Sequence, residues 1–399
     1  SYGYYQSEIG SSLEWQEECW RADFSIELGE PVRINRAIMT AASPLGDEPG
    51  MQAILAESKL ESGRRFTHDR YENQKRQMLD VAESLGYFDA AFQQHHVSID
   101  PQLNTADLTI HLEGGKRYRI GKLDIKQDAL RPQLFDRYLT LKPGDPYSSS
   151  TSGNTYTRLL ESGYYDRVAL YPDLDNRSDG VVDLQVQATA GPRRNTLIGA
   201  GYATDTGPRL RGDLRYRRVN DRGHRANIGL LASPVTSEIS AEYRLPYGDP
   251  THQWLAFTAS LKHEDKDTAR STTRSVGISR TQRRGTHCTE TNYVDFRNED
   301  YDLAQQDGQS YLVLLGSSWT RTSAIDAPRR MHGHSVSLDV RGASDALLSD
   351  TSFIQAIAKA KQIIPLGSTV RLLGRATAGW TLKEALSELP PSIRFFAGG

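Results

Sequence analysis

The sequence has few cysteines, no long apolar run and no excess of one charge. Its two cysteines, Cys19 and Cys288, lie in very different segments, so neither a disulfide framework nor a metal-binding cysteine pattern is present. The longest apolar stretches, such as Leu312 to Leu315, are far shorter than the roughly 18 residues that a membrane-spanning helix needs. The 48 basic residues balance 50 acidic ones, so no basic field is available for phosphate contacts. These absences exclude a helical membrane protein and argue against nucleic acid as a partner.

The first residues also carry no recognisable leader. The chain begins at Ser1 without Met, a charged stretch or an apolar stretch, which predicts that a secretory signal is absent or was lost with a missing N-terminus. A length of 399 residues predicts two or three domains. Tyr, Leu, Val and Ile are spread evenly along the chain, so disorder is not the natural interpretation.

The first half of the chain contains an internal repeat. Three segments share a glycine followed by two aromatic residues, and the glycines Gly3, Gly86 and Gly163 recur at intervals of about 80 residues. Each unit has the same order: a β-run, helical residues, the glycine with its aromatic pair, and then two alternating strands. We therefore expect a tandem array of β-α-α-β-β units.

The glycine in the middle unit is interpreted as the end of a helix. The preceding residues place apolar side chains on one helical stripe: Tyr71, Met78, Val81, Ala82 and Leu85. Gly86 stands where a helix needs a left-handed residue, which glycine adopts at little cost. Tyr87 and Phe88 would then start the following strand and pack against that helix. This structural interpretation is preferred over a ligand-binding role.

From Asn195 onward the helical pattern is replaced by alternation with a period of two, which is typical of strands with two different faces. In one such segment, Leu210, Leu214 and Tyr216 share a face, and charged side chains occupy the other. The clearest segments span residues 209–217, 238–245, 255–262, 335–341 and 370–377. A soluble sandwich also alternates, so the period alone does not separate it from a membrane barrel.

Three further features favour a membrane barrel. The strands run about ten residues, their polar faces are rich in Arg, Glu and Asp, and aromatic residues fall near the predicted strand ends. Those aromatic residues are Tyr247, Trp254, Tyr293, Trp319 and Trp380. About eleven strands can be counted, whereas closed bacterial barrels have an even number, so we expect strands to be missing.

Repeats of this kind ahead of an alternating barrel resemble the BamA/TamA superfamily of outer-membrane insertases, whose repeats are POTRA domains. The resemblance implies α+β POTRA repeats followed by an all-β antiparallel transmembrane barrel, with about 11 of 16 strands present. It divides the chain into residues 1–31 (the C-terminal part of POTRA 1), 32–115 (POTRA 2), 116–191 (POTRA 3) and 192–399 (the N-terminal part of the barrel, ending in loop 6). Three repeats are similar to the TamA branch.

Two local stretches carry the resemblance further. The stretch from Gly199 to Arg209 resembles the first barrel strand and its turn, and the stretch from Leu389 to Gly399 resembles the start of the inward-folding sixth loop. The resemblance implies a lateral seam at the first strand, formed by Asn195, Leu197, Gly199, Gly201 and Tyr202. It also implies a loop-6 motif formed by Arg394, Phe395, Phe396, Gly398 and Gly399, with the docking arginine of the family and the closing strands lying beyond the last residue.

The function implied by the resemblance makes no covalent bonds and uses no cofactor. A weakly paired seam opens, and an incoming substrate strand pairs with its exposed edge. The implied partners are unfolded outer-membrane proteins such as autotransporters, outer-membrane lipid, and a TamB-like periplasmic protein bound through POTRA 1. The implied location is the Gram-negative outer membrane, with the POTRA domains in the periplasm.

Other functions were weighed against this one. A dinucleotide site at Gly199 and Gly201 lacks the third glycine and the helix that such a site needs. His332 and His334, or His95 and His96 less plausibly, could bind a metal, but no carboxylate or Cys completes either set. No catalytic spacing of Ser, His and Asp is present, so we predict no catalytic, cofactor-binding or metal-binding residue. The alternative that stays open is a two-partner-secretion barrel that exports one dedicated protein.

Overall fold

The protein is described by a computed structural model, which covers residues 2–16, 19–204, 207–266, 269–285, 287–303, 306–323, 332–367, 369–383 and 389–394. The chain forms two compact units. The first comprises residues 1–126, 140–156 and 169–187, and the second comprises residues 127–139, 157–168 and 188–399.

The chain begins with an antiparallel hairpin of β1 (Glu8–Gln16) and β2 (Cys19–Glu27). Every residue of both strands is exposed, and Trp15 and Trp20 face each other edge to face with ring centroids 5.2 Å apart. A two-stranded ribbon without a packed face has little stability of its own.

A three-stranded sheet with two helices follows. Its strands are β3 (Arg33–Ala41), β4 (Ala91–Asp100) and β5 (Thr105–Glu113) in the order β3-β5-β4, with β3 parallel and β4 antiparallel to β5. The helices α1 (Pro49–Ala56) and α2 (His68–Ser84) cover one face. Inward residues of β5 alternate with outward ones, because a strand presents every second side chain to the same face. The core contains Ala106, Leu108, Ile110, Leu112, Met51, Met78 and Phe66.

The end of α2 confirms the predicted helix stop. Gly86 has a φ of +89°, the left-handed conformation expected of a residue just beyond a helix. Tyr87 is buried in the core of the same unit, but the next strand begins only at Ala91. Phe88 packs against aromatic rings of the following repeat, with centroid distances of 5.5 Å to Tyr118 and 4.9 Å to Tyr147. The expectation that Tyr87 and Phe88 start a strand was therefore wrong for both residues, and the expectation that they pack on their own helix was wrong for Phe88.

The next repeat has the same topology. Its sheet, in the order β6-β8-β7, consists of β6 (Arg119–Lys126), β7 (Tyr165–Pro172) and β8 (Val181–Ala190). The helices are α3 (Pro132–Phe135), which continues into a 3-10 turn, and α4 (Ser149–Glu161). The boundaries of the repeats at residues 31, 115 and 191 stay predictions.

Polar contacts join the two repeats within the first unit. Arg117 donates to Glu48 at 2.7 Å, and the hydroxyl of Tyr118 donates to Asp89 at 2.8 Å. Arg177 lies 3.2 Å from the same Asp89 carboxylate. The hydrogen bond to that carboxylate raises the pKa of Tyr118. The joint therefore has ion pairs as well as the ring contacts of Phe88.

The described residues from 194 onward contain one eleven-stranded sheet in which each strand is antiparallel to its neighbours in sequence, from β9 at one edge to β19 at the other. The predicted count of eleven strands is confirmed. No helix in the described part of the chain is long and apolar enough to cross a membrane. The strands are β9 (Arg194–Ala203), β10 (Gly207–Tyr216), β11 (Arg225–Ala232), β12 (Thr236–Pro246), β13 (Gln253–Lys266), β14 (Ala269–Arg284), β15 (Cys288–Leu303), β16 (Gln306–Thr322), β17 (Gly333–Ala343), β18 (Phe353–Leu366) and β19 (Val370–Leu382).

The two faces of this sheet differ chemically. The face called the inner face here carries paired polar groups, including Asp213 with Arg211 and Asp295 with Arg297 at 2.8 Å each. The opposite, outer face carries exposed apolar side chains such as those of Ile239, Leu261, Val276, Phe296 and Leu338.

Not all of the predicted girdle residues lie on the outer face. Tyr293 lies well within β15 on the inner face, where its hydroxyl donates to Asp339 at 3.1 Å. Trp254 also faces inward, and the guanidinium of Arg244 lies 5.8 Å from its ring centroid. The expectation that these two aromatic residues belong to an interfacial girdle was wrong, because alternation assigns a face only when the phase of the strand is known.

Candidate functional site

The first strand of the large sheet, β9, is an edge strand. It pairs with β10 in a regular register, from Arg194 opposite Tyr216 to Ala203 opposite Gly207. Among the described residues, no strand pairs with its other side, and β19 forms the opposite edge of the sheet. Such an edge presents unpaired backbone N–H and C=O groups that can pair with another strand.

The predicted seam residues divide between the two faces of β9. Asn195, Leu197, Gly199 and Gly201 share the inner face, and Tyr202 points to the outer face. Leu197 is 58% exposed and Tyr202 is 75% exposed. The structure thus places all five residues on the edge strand, and their role in a seam stays a prediction.

The two inward glycines of β9, Gly199 and Gly201, have room for a larger side chain. A Cβ on Gly199 would meet no atom within 4 Å, and one on Gly201 would meet only the side chain of Arg209 at 3.5 Å. Glycine weakens a strand because it adds backbone freedom and has no side chain to pack. The pair therefore leaves this edge loosely ordered and allows another backbone to approach.

A short segment after β19, residues 389–394, packs on the inner face of the sheet. Its apolar side chains are almost fully buried, with Leu389 and Ile393 each 1% exposed. They form one cluster with side chains from two strands, Leu312 and Leu314 on β16 and Phe353 on β18. This segment is called the loop segment below.

Two buried polar side chains hold the backbone of the loop segment. Glu299 on β15 is 1% exposed and accepts from the Ser392 N–H at 3.3 Å and from its hydroxyl at 2.5 Å. Gln355 on β18 is 0% exposed, and its side-chain nitrogen donates to the carbonyl oxygen of Ile393 at 2.9 Å. Two guanidinium nitrogens of Arg341 donate to the side-chain oxygen of Gln355, at 2.6 Å and 2.9 Å. Glu299 and Gln355, together with their loop partners Ser392 and Ile393, are called the loop clamp below.

Arg394 is the one residue of the predicted loop-6 motif in the described part of the chain. Its Nε donates to the carbonyl oxygen of Leu389 at 2.6 Å, which closes the loop segment on itself. Phe395, Phe396, Gly398 and Gly399 lie outside the described residues. Sequence reasoning missed Glu299 and Gln355, because each is one of many inward polar residues and only the folded loop singles it out.

The second unit also holds the end of α4 against the short turns that join the strands at one end of the sheet. Arg158 donates to Asp249 at 2.9 Å. The hydroxyl of Tyr164 donates to the carbonyl oxygen of Gly223 at 2.6 Å, and the guanidinium of Arg225 lies 4.6 Å from the Tyr164 ring centroid. We call this arrangement the turn contact.

Backbone geometry and charge both fix the turn contact. Gly223 has a φ of +72°, and a Cβ there would lie 2.7 Å from Leu134. Burial alone would raise the pKa of Asp249, but hydrogen bonds from His252 and Thr251 and the charge of Arg158 outweigh it and hold the pKa below its usual value. The aspartate is therefore charged in this contact at neutral pH.

Comparison with known proteins supports the same architecture. The POTRA family, described as surface antigen variable number repeat, matches residues 51–115. The outer membrane protein assembly factor BamA of Neorickettsia risticii is 28% identical over 103 residues, which are 25% of this chain and 14% of that protein. BamA of Neisseria meningitidis serogroup B is 23% identical over 163 residues, which are 40% of this chain and 20% of that protein. The matches thus span no more than a fifth of either curated relative.

Among solved structures, BamA from Haemophilus ducreyi lacking POTRA domains 1–3 superimposes with a TM-score of 0.71 at 13% identity, over 88% of this chain and 70% of that one. CdiB from Escherichia coli aligns over 88% of this chain and 69% of that one at 13% identity, with a TM-score of 0.48.

The POTRA match and the shared fold confirm the predicted fold class of POTRA repeats followed by an antiparallel barrel sheet. Together with the two curated relatives, whose names describe outer membrane proteins, they support a relation to the BamA/TamA superfamily.

Proposed function

We propose that the protein is an outer-membrane assembly factor of the TamA branch, which inserts autotransporters and other β-barrel proteins without enzymatic chemistry. The observation that carries this proposal is the pair of glycines on β9, the first strand of a sheet with an apolar outer face, where the resemblance implies a weakly paired seam whose edge can open. An edge of this kind binds a further strand through main-chain hydrogen bonds, so recognition does not depend on one substrate sequence.

The energetic reason is specific to lipid. An unpaired backbone group in the hydrocarbon region costs several kcal/mol, so an incoming strand cannot enter the bilayer alone. Pairing with β9 satisfies those groups as the strand enters. Gly199 and Gly201 support this step because a loosely ordered edge exchanges partners more readily than a stiff one.

The loop clamp and the turn contact would each hold one segment of the second unit in place. The loop clamp fixes the loop segment on the inner wall, where it faces the space through which a substrate would pass. The turn contact fixes the end of α4 to the strand turns within the second unit. The proposed partners are unfolded outer-membrane proteins, outer-membrane lipid and, through POTRA 1, a TamB-like periplasmic protein.

The test is reconstitution of the full-length protein in liposomes, with insertion of an autotransporter barrel followed over time. A cysteine replacing Ile198 on β9 should cross-link to a cysteine in the substrate strand, whereas one replacing Leu338 in the middle of the sheet should not. Insertion no faster than in empty liposomes would overturn the proposal. Acceleration of unrelated barrels favours an assembly factor, and export of one dedicated protein without barrel insertion favours the two-partner-secretion alternative.

A further inference from the structure

The outer face of strands β11 to β16 contains an apolar groove of about 750 Å³. It follows a row of side chains that lie opposite one another in register from strand to strand: Ile228, Ala241, Ala259, Val276, Phe296 and Val313. Five steps between strands give it a length of about 24 Å at roughly 4.8 Å a step. The groove thus runs across the strands. The smallest side chains in the row are those of Ala241 and Ala259, which lie opposite each other.

The apolar band of the sheet is unusually short beside this groove. On β14 only Val276 and Ile278 point outward between Arg274 and Arg280. The six residue steps from Arg274 to Arg280 span about 20 Å along the strand at about 3.4 Å each, or about 15 Å along the membrane normal at a tilt near 40°. The usual apolar band is about 25 Å tall. A lipid chain parallel to the normal would therefore lie beside charged side chains for part of its length.

A polar cluster lies along one rim of the groove. Arg274 donates to Asp300 at 2.6 Å and to the side-chain oxygen of Asn298 at 2.9 Å. The side-chain nitrogen of Asn298 is buried and has no acceptor among the described residues. Charged pairs on a lipid-facing surface belong at headgroup level, so the groove starts directly below the headgroups.

The loop between β17 and β18 closes one end of the groove. Its Asp350 and Ser349 accept hydrogen bonds from the backbone of Tyr311 and Val313 on β16, at 2.7 Å and 2.9 Å. Leu348 lines the groove although it is 85% exposed and has a φ of +62°. A bulky residue rarely adopts this conformation, so the loop holds an apolar side chain outward at a conformational cost.

We propose that the groove is a lipid site that binds an acyl chain of a bilayer phospholipid, with its headgroup beside the exposed pair of Arg274 and Asp300. A chain lying across the strands stays on apolar side chains where the band is too short for an upright chain. Leu348 would pack against this chain, and the chain would supply the apolar contacts that the exposed Leu348 side chain lacks in the protein. The proposal rests on the outer-membrane location of the sheet and not on the insertion activity.

The test uses the full-length protein in vesicles of phosphatidylethanolamine and phosphatidylglycerol that contain a phospholipid with a photoreactive acyl chain. Labelled peptides are located by mass spectrometry. Labelling should concentrate on the strands that line the groove, and Ala259→Phe, which fills it, should reduce that labelling several-fold. Ala378→Phe is the matched control, because Ala378 also lies on the outer face but away from the groove.

A second variant guards against misfolding. Leu348→Gly removes the apolar side chain and relieves the left-handed strain, so the fold should be kept while labelling falls. Labelling that is uniform around the barrel, or equal in all variants, would overturn the proposal. So would a cross-link between two copies of the protein through the groove, because a protein would then be the occupant. Insertion activity is measured in parallel, so loss of one property can be distinguished from loss of the other.

Discussion

Replacing Glu299 by alanine removes both hydrogen bonds that the loop segment donates to β15. The carboxylate is 1% exposed and accepts from the N–H and the hydroxyl of Ser392. Hydrogen bonds to a charged group contribute about 1.5–3 kcal/mol each, but removal of the buried carboxylate also removes its desolvation cost. We therefore expect a net loss of about 2–3 kcal/mol from the closed state of the loop segment.

A loss of this size should increase local opening by about 30- to 140-fold, at about 1.4 kcal/mol per factor of ten. The assay is hydrogen exchange of the full-length protein in lipid, read by mass spectrometry on the peptide that contains residues 389–394. Exchange there should accelerate by that factor, while exchange in the helix of residues 68–84 should not change.

Two further variants separate the hydrogen bonds from general damage to the strand. Glu299→Gln keeps an acceptor for the Ser392 N–H, and its NH₂ can donate to the hydroxyl oxygen, so acceleration should be much smaller than with alanine. Glu290→Ala changes the same residue type on the outer face of the same strand and should leave the loop segment unchanged. Unchanged exchange in Glu299→Ala, or equal acceleration in Glu290→Ala, would refute the role of the loop clamp.

Three other outcomes are expected. Gly223→Ala should lower the stability of the turn contact by about 1–3 kcal/mol. The loss should be larger than for Gly285→Ala, because Gly285 has a similar positive φ but open space around it. The denaturation midpoints of the two variants give the comparison, and equal midpoints would contradict the close approach of Leu134 to Gly223. Because Asp249 has a lowered pKa, the stability from its charge should be complete above its ordinary pKa of 3.8 and lost as pH falls through the lower folded value. Asp249→Asn should abolish this acid dependence, measured by proteolysis of the turn contact at several pH values, and an unchanged profile would count against it. Gly199→Val should slow substrate insertion without loss of folding, whereas Gly212→Val on the interior strand β10, where an added Cβ has its nearest contact at 3.8 Å, should not. Equal insertion rates in both variants would argue against a role of the β9 edge in insertion.

The sequence determined the features that depend on short-range pattern. Alternation with a period of two predicted eleven strands because successive side chains of a strand point to opposite faces, one mainly polar and one mainly apolar. The recurring glycine predicted the end of α2, and Gly86 adopts the left-handed conformation that made glycine informative. Both signals are local, so they can be read without knowing which distant residues meet.

The tertiary structure decided which residues meet across the fold. Phe88 packs on Tyr118 and Tyr147 of the next repeat, because the left-handed Gly86 turns the chain toward that repeat. Glu299 and Gln355 look like other inward polar residues until the loop segment, more than 30 residues beyond either one, folds onto them. Alternation gives two faces but not their partners, because the contacts that bury a side chain come from segments far apart in the sequence.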